Sequence, residues 1–307
     1  PTRLSEGHSP AVSPKGDTVA FLLKGQVWLA RLDASAKPEQ LIHANGDSSS
    51  LRWSPDGSKL AFVSRRGDHA FLAVYDFAAK SLAYLDPSVD ADIEPVWSPD
   101  SRQIAFVRIP VSKGRLPFSP RREGQPWSIR IADVFTGKAR EVWRAETGRG
   151  SEFHEVVAEN QLLWGAGNQI VFPWERDGWA HLYSVSASGG SAKLLTPGSF
   201  EVENVALSGN REEIVFSSNQ DDIDRRHVWR VTPSGDRPAA VTSGSGIETA
   251  PVMASDNRTI IVLRSDARLP MRPAIVAAKG ELRDLAPETI SSDFPANSLV
   301  APQQVVF

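Results

Sequence analysis

The chain has 307 residues, 41% of them hydrophobic and 23% charged, which is enough apolar material for a folded core. Its 34 basic and 37 acidic residues give a formal net charge of -3, so no overall basic field attracts nucleic acid or an anionic lipid surface. Cysteine is absent, which excludes disulfides, thiolate metal sites and a thiol nucleophile. No run of residues approaches the roughly 18 apolar positions of a membrane helix. The sequence therefore indicates a globular protein without a nucleic-acid or membrane partner, and it leaves the cellular compartment open.

A turn motif recurs along the chain and defines a repeat. Its clearest copies are Ser13-Pro14-Lys15-Gly16, Ser54-Pro55-Asp56-Gly57 and Ser98-Pro99-Asp100-Ser101. Eight residues after each Ser comes a Phe, at positions Phe21, Phe62 and Phe106. The same spacing of eight residues predicts three further pairs: Trp164 with Phe172, Ser208 with Phe216, and Ser255 with Leu263. The six units start 41, 44, 66, 44 and 47 residues apart, so the third unit carries an insertion of about 20 residues.

Each unit is predicted to contain four short strands. In the first unit, alternating apolar residues place the third and fourth strands at residues 26–30 and 39–42. Pro at the second turn position and Asp-Gly after it suit a tight reversal between antiparallel strands. A repeat of 40 to 50 residues with four strands is typical of a β-propeller blade, whereas solenoid coils are shorter and sandwiches do not repeat one turn at a fixed register. We expect an all-β fold, a β-propeller of four-stranded antiparallel blades, over residues 1–290.

The number of blades is left open by the sequence. Six repeats are visible, and residues 2–7 resemble the outer strand and exit turn of a preceding blade. A seventh blade upstream is therefore an alternative to six.

Motifs of common enzyme sites are absent from the sequence. It contains no Gly-x-Ser-x-Gly elbow, no Gly-rich phosphate loop and no His-Glu-x-x-His helix. The six histidines have no ligand spacing among themselves. We therefore assign no catalytic residue, no metal ligand and no cofactor, and the chain by itself is expected to bind or gate.

Specific segments of the chain resemble a known family. Trp174-Glu175-Arg176-Asp177-Gly178-Trp179-Ala180-His181-Leu182-Tyr183, followed by Leu195-Thr196-Pro197-Gly198 and Phe200-Glu201-Val202, resembles the propeller of dipeptidyl-peptidase-IV-like members of the prolyl oligopeptidase family of serine peptidases. Residues 291–307 are similar to the connector that leads from such a propeller into an α/β-hydrolase domain.

The resemblance implies a function and two partners. The chain would be the non-catalytic propeller that gates and selects substrates of a serine peptidase, with short peptides as substrate and the C-terminal α/β-hydrolase domain of the same parent chain as its covalent partner. That domain would supply the Ser, His and Asp of the triad. The alternative is a stand-alone TolB-like propeller that acts as a protein-protein interaction scaffold, because such propellers share the Ser-Pro-Asp-Gly repeat. The resemblance leaves open whether the parent acts as an exopeptidase or an endopeptidase.

The insertion in the third unit is the first candidate substrate-binding region. Dipeptidyl members of the family hold the amine of the substrate with two adjacent Glu residues on a propeller insertion. Here the insertion, residues 108–126, is basic and holds one acid, so we expect it to bind a carboxylate or peptide carbonyls through Arg121 and Arg122, next to Glu123. A solvated loop in which Glu123 pairs locally is the alternative.

Two further charged groups supply the remaining candidates. The loop Asp221-Asp222-Ile223-Asp224-Arg225-Arg226-His227 offers Arg225 and Arg226 as binding residues; internal ion pairs and an oxygen-rich calcium site are the other interpretations. Acids that precede predicted inner strands indicate a ring at one mouth of the propeller channel, at Glu94, Glu152, Glu201, Glu203 and Glu248. Of these we take Glu201 and Glu203 as candidate substrate-binding residues, with pairing to a nearby Arg as the alternative.

Overall fold

The computed structural model describes residues 5–111, 126–277, 280–303 and 305. The chain forms two compact units, one of residues 1–153 with 185–191 and the other of residues 154–184 with 192–307. Each unit holds three consecutive repeats.

The first unit contains three four-stranded antiparallel sheets. The first sheet has strands β1 to β4, at His8–Val12, Thr18–Leu23, Gln26–Arg31 and Glu39–Gln40. The second has β5 to β8, at Asp47–Trp53, Lys59–Arg65, Ala70–Asp76 and Ser81–Tyr84. The third has β9 to β12, at Ala91–Trp97, Gln103–Ile109, Ser128–Asp133 and Ala139–Arg144. One parallel bridge, Ala70 to Ala91, joins the second sheet to the third.

The second unit contains the next three sheets, together with the short strand β13 (Val157–Ala158) that runs parallel to β18. The fourth sheet, whose third strand ends just outside the unit, has β14 to β17, at Leu163–Gly165, Gln169–Trp174, His181–Ser186 and Lys193–Leu194. The fifth has β18 to β21, at Val202–Leu207, Ile214–Ser218, His227–Val231 and Ala239–Ala240. The sixth has β22 to β25, at Ile247–Met253, Ile260–Ser265, Arg272–Val276 and Leu282–Asp284. Short 3-10 turns lie at Ala166–Asn168, Pro287–Thr289 and Ala296–Ser298.

The repeated Ser has a defined role in the turn between the first two strands of a sheet. The hydroxyl of Ser54 donates to Asp56 Oδ1 at 2.6 Å, and it accepts the amide of Lys59 at 2.9 Å. Ser98 makes the same pair of hydrogen bonds with Asp100 and Gln103. Because these hydroxyls are buried, a side chain that both donates and accepts is needed at this position.

Tryptophans at the ends of first strands connect consecutive sheets of the first unit. Trp53 Nε1 donates to the carbonyl of Ala11 at 2.9 Å, and Trp97 Nε1 donates to the carbonyl of Arg52 at 3.0 Å. The residue before Ser-Pro-Asp thus ties each sheet to the one before it.

The hydrophobic core lies between consecutive sheets of each unit. In the first unit, Phe62 packs in a cluster with residues of the first and second sheets, and Phe106 in one with residues of the second and third. In the second unit, Phe216 packs in a cluster shared by the fourth and fifth sheets. The aromatic of the repeat is therefore a core residue at these three positions.

The frame of the sixth repeat differs by one residue from the sequence-based prediction. In the fifth sheet, the amide of the motif residue Ser208 donates to the carbonyl of Glu213 across the hairpin. In the sixth sheet, the equivalent hydrogen bond runs from the amide of Ala254 to the carbonyl of Thr259. The core residue eight positions later is therefore Val262, which is fully buried, whereas Leu263 is 38% exposed. The predicted pairing of Ser255 with Leu263 is therefore displaced by one residue, because the motif there begins with Ala instead of Ser.

The extra length of the third repeat is divided between two places. One part connects β10 to β11, from residue 110 to 127, and the other follows β12. Arg108, predicted as the start of the insertion, is instead a buried residue of β10. The predicted binding residues Arg121, Arg122 and Glu123 lie outside the described residues.

A buried ion pair lies at the base of this insertion. Arg108 is opposite Asp92 in the β9–β10 ladder, and its Nε and Nη2 donate to the two carboxylate oxygens of Asp92 at 2.6 and 2.9 Å. Nη1 donates to Asp86 Oδ2 at 3.1 Å. Burial raises the pKa of Asp92, and Arg108 opposes that shift. The two-point geometry is the arrangement in which a buried pair offsets the loss of hydration.

Candidate functional site

The structure brings two predicted site residues of the second unit together as an ion pair. Glu203 lies on β18, and Arg226 lies at the end of the loop between β19 and β20. Arg226 Nε donates to Glu203 Oε1 at 2.8 Å, and its Nη1 donates to the carbonyl of Ile223 at 3.1 Å. The arginine-paired alternative for Glu203 thus describes the observed contact.

Arg225 makes its own ion pair on the same loop. Its Nη1 donates to Asp222 Oδ2 at 2.7 Å, and its Nε donates to the carbonyl of Ser245 at 3.2 Å. The hydrogen bond from Arg225, with a second from the amide of Asp224, lowers the pKa of Asp222. The predicted internal pairing of the charged loop is therefore present, and it fixes the direction of the Arg225 side chain.

A buried histidine and carboxylate lie behind these arginines. His227 Nδ1 is 2.8 Å from Glu248 Oε2, and the amide of Glu248 donates to the carbonyl of Arg226. Glu248 is only 2% exposed, so it does not face solvent as an acidic ring would require. No sequence pattern indicates this pair, because the two residues are 21 positions apart and belong to different sheets.

A cavity of about 740 Å³ opens between the fifth and sixth sheets of the second unit. Its volume is within the roughly 300–1,000 Å³ of small-molecule and peptide-side-chain sites. Three arginines line it, Arg225 from the charged loop and Arg264 and Arg268 from the end of β23 and the residues after it. The wall also includes three acids, Asp224, Glu248 and Asp266, and residues 301–303.

The arginines of this cavity differ in the hydrogen bonds and ion pairs that they make with the protein. Arg264 Nε is 2.9 Å from Asp284 Oδ1, and its Nη1 donates to the carbonyl of Leu282. Within the described residues, the side chain of Arg268 has no hydrogen bond or ion pair. The cavity therefore offers guanidinium donors to a carbonyl or carboxylate group. Arg264 and Arg268 were missed by the sequence analysis, since nothing marks them before the sixth sheet folds.

The family-like segment around Trp174 contributes mainly to packing. Trp174 is buried against Tyr183, with ring centroids 5.0 Å apart. His181 is fully buried; its Nε2 is 3.0 Å from the carbonyl of Gly198, and its Nδ1 is 3.2 Å from Thr196 Oγ1. The last predicted residue, Glu201, is exposed, and its amide donates to Asn219 Oδ1 at 2.8 Å.

Across residues 5–111, 126–277, 280–303 and 305, no three His, Asp or Glu side chains are grouped as metal ligands. In the same part of the chain, no helix is long and apolar enough to cross a membrane.

Comparison with known proteins places the chain. Residues 121–271 match the family model described as the dipeptidyl peptidase IV (DPP IV) N-terminal region. The fold is similar to that of dipeptidyl peptidase 4 of Porphyromonas gingivalis, with a TM-score of 0.67 at 17% identity over 92% of this chain and 46% of that chain. This chain is a β-propeller, and its residues 121–271 are similar to the DPP IV N-terminal region.

Two other similarities belong with this assignment. The uncharacterized peptidase YuxL of Bacillus subtilis (strain 168) is 25% identical over 183 residues, which cover 59% of this propeller and 23% of YuxL. TolB of Acinetobacter baumannii matches with a TM-score of 0.52 at 16% identity over 89% of this chain and 61% of that chain. The matched part of this chain thus spans about a quarter of YuxL and less than half of the Porphyromonas chain.

Proposed function

We propose that this propeller is the substrate-gating and substrate-selecting domain of a serine peptidase that cleaves short peptides. The observation that carries the proposal is the match of residues 121–271 to the DPP IV N-terminal region. The similarity to a bacterial peptidase supports it.

Size exclusion is the physical basis of the proposed gating. A nucleophile enclosed between a hydrolase domain and a propeller is reached by short or flexible chains, whereas a folded protein is too large to enter. In this proposal residues 291–307 form the connector, and the α/β-hydrolase domain of the same parent chain provides the nucleophile, its base and the oxyanion hole. The propeller contributes selection only.

Substrate contact is proposed for two regions. Arg225 lines the large cavity of the second unit together with the uncommitted Arg268, so this cavity can hold a peptide carbonyl or carboxylate. Arg121, Arg122 and Glu123 stay proposed contacts on the insertion, with Glu201 as a candidate exposed acid. Glu203 and Arg226 would take part as a pair, because each is already bound to the other.

The test is a comparison of substrates of different size on the full-length parent protein. We expect the parent to cleave short peptides and not to cleave a folded protein that contains the same peptide sequences. A serine-reactive organophosphate should block the cleavage of the peptides. The 307-residue chain alone should be inert toward both. Unfolding the protein substrate first should restore its cleavage, which separates size selection from sequence selection.

An inactive parent, tested on a broad peptide library, would contradict the proposal and favour the TolB-like scaffold. Equal cleavage of the folded and unfolded protein would contradict gating while leaving the peptidase assignment intact.

A further inference from the structure

A second cavity lies on the other side of the charged loop, wholly within the second unit. It has a volume of about 370 Å³, and its wall includes Trp179, Pro197, Phe200, Gln220, Asp221 and Ile223. Two segments that stand out in the sequence therefore meet here, the Trp-rich segment of the fourth sheet and the acidic start of the loop after β19. The two cavities share no lining residue, although Arg225 of the first is paired with Asp222 of the second.

Two residues that line this cavity carry oxygen acceptors without a hydrogen-bond donor among the described residues. Gln220 Oε1 is buried and receives no hydrogen bond from the described residues. A buried acceptor without a donor costs free energy, so a ligand that brings a donor is favoured at this point. The carboxylate of Asp221 is exposed and has no ion pair or hydrogen bond within the described residues. A ligand with several N–H donors matches both groups.

The backbone at Asp221 is held in an unusual conformation. Its φ is 66°, in the left-handed region that side chains with a Cβ rarely adopt. The turn that follows is fixed, because the amide of Asp222 donates to the carbonyl of Asn219 and Asp222 itself is held by Arg225. The Asp221 carboxylate is thus presented from a constrained turn.

The aromatic wall favours a cation over a neutral donor. Trp179 is only partly buried where it lines the cavity. A guanidinium or ammonium over an indole face is stabilised by the negative face of the ring, and an indole is the strongest partner of this kind. Phe200 and Pro197 supply apolar surface for the methylene stem of such a group.

Carboxylates lie near this cavity. Asp177 and Glu201 are close enough to oppose the lowering of the His181 pKa that burial causes, and His181 contacts Phe200 and the carbonyl of Gly198. Arg225, which lines the first cavity, is paired with Asp222. Carboxylates near a binding site attract cations.

We propose that this cavity binds the cationic side chain of an arginine or lysine in a peptide, with Trp179 over the cation and Asp221 and Gln220 as acceptors. The proposal concerns binding by this chain alone, so it does not depend on the peptidase activity of the parent.

The experiment is a titration of the 307-residue chain with blocked amino acids. Binding is measured by the ¹⁵N-indole NMR signal of Trp179, which is assigned as the signal that is missing in the Trp179→Phe variant. Acetyl-arginine amide and acetyl-lysine amide carry the cation without a free amino terminus, and acetyl-citrulline amide is the neutral isostere of arginine. We expect the Trp179 signal to shift with the first two, and binding of the citrulline compound to be about tenfold weaker. Added salt should weaken the cationic ligands only.

Two variants separate the site from general electrostatics. Asp221→Asn suits the left-handed backbone, so it should fold normally and lose about tenfold in affinity for acetyl-arginine amide. Asp293→Asn makes the same chemical change at an exposed aspartate of the carboxyl-terminal segment and should leave binding unchanged. Equal binding of citrulline and arginine, or an equal loss in both variants, would overturn the proposal. Binding of triglycine amide without binding of acetyl-arginine amide would also overturn it, since the site would then take an amino terminus.

Discussion

His181 shows what a single buried residue contributes to the second unit. Burial lowers its pKa below the ordinary value of 6.5, and the nearby carboxylates of Asp177 and Glu201 only partly oppose this. The neutral ring fits its contacts, because one nitrogen can donate to the Gly198 carbonyl while the other accepts the Thr196 hydroxyl. A charged ring would have to donate to Thr196 Oγ1, which already accepts the amide of Leu182.

Stability is therefore expected to fall in mild acid. The unfolded chain binds the proton near pH 6.5 and the folded chain only below that, so the contribution of His181 is complete above pH 6.5 and is lost as the pH falls below it. Urea unfolding of the wild type and His181→Gln at about pH 8 and about pH 5 measures this difference. Gln can replace both hydrogen bonds and does not titrate, so the variant should lose less stability than the wild type between about pH 8 and about pH 5. Equal losses would contradict the assignment.

The buried pair in the first unit should be sensitive to removal of one partner. Asp92→Asn leaves the Arg108 guanidinium with Asp86 as its only carboxylate, and we expect a loss of about 3 kcal/mol in the free energy of unfolding. Asp68→Asn is the control, because the Asp68 side chain is 85% exposed beside His69. Chemical denaturation compares the two; similar small losses would show that the pair contributes little.

At the scale of an element, the first hairpin of each blade depends on one hydroxyl. In Ser98→Ala, the Gln103 amide loses its acceptor beside the buried Ser98 position and the Asp100 carboxylate keeps only the amide of Arg102, and the expected loss is about 1–2 kcal/mol. Ser81→Ala, on an exposed position of β8, should change stability by much less. The unfolding midpoint in urea is the measurement. A Ser98 variant as stable as the Ser81 variant would mean that water replaces both hydrogen bonds.

The same hairpin shows how far a local pattern predicts a local structure. Turn position, strand order and the buried aromatic followed from the spacing of Ser, Pro, Gly and Phe, since each of these residue types has a local conformational or burial preference. The sixth repeat departs from the pattern where Ala254 replaces the serine, Ser255 the proline and Val262 the aromatic. There the turn is shown by the backbone hydrogen bond from Ala254 to Thr259, because the Ala254 side chain has no hydroxyl.

At the scale of the whole molecule, the proposed peptidase gives a kinetic prediction for Arg225. In the full-length parent, Arg225→Ala should raise KM for short peptides about tenfold, because a charged donor leaves the cavity, while kcat changes little. Arg144→Ala is the control, since Arg144 is half exposed and pairs with Glu141 in the first unit. Steady-state kinetics on one blocked peptide compares them. An unchanged KM in Arg225→Ala removes this residue from the substrate site.

The sequence by itself determined the repeat, the all-β blades and the resemblance to a DPP IV-type propeller, because these depend on residue types at fixed local spacing. It identified Glu203, Arg225 and Arg226 as charged candidates but could not pair them, and it gave no sign of His227 with Glu248 or of Arg264 and Arg268. Only the tertiary structure decided these points. Residues more than 20 positions apart become neighbours when sheets pack, and burial then determines which charges are committed to each other and which face a cavity.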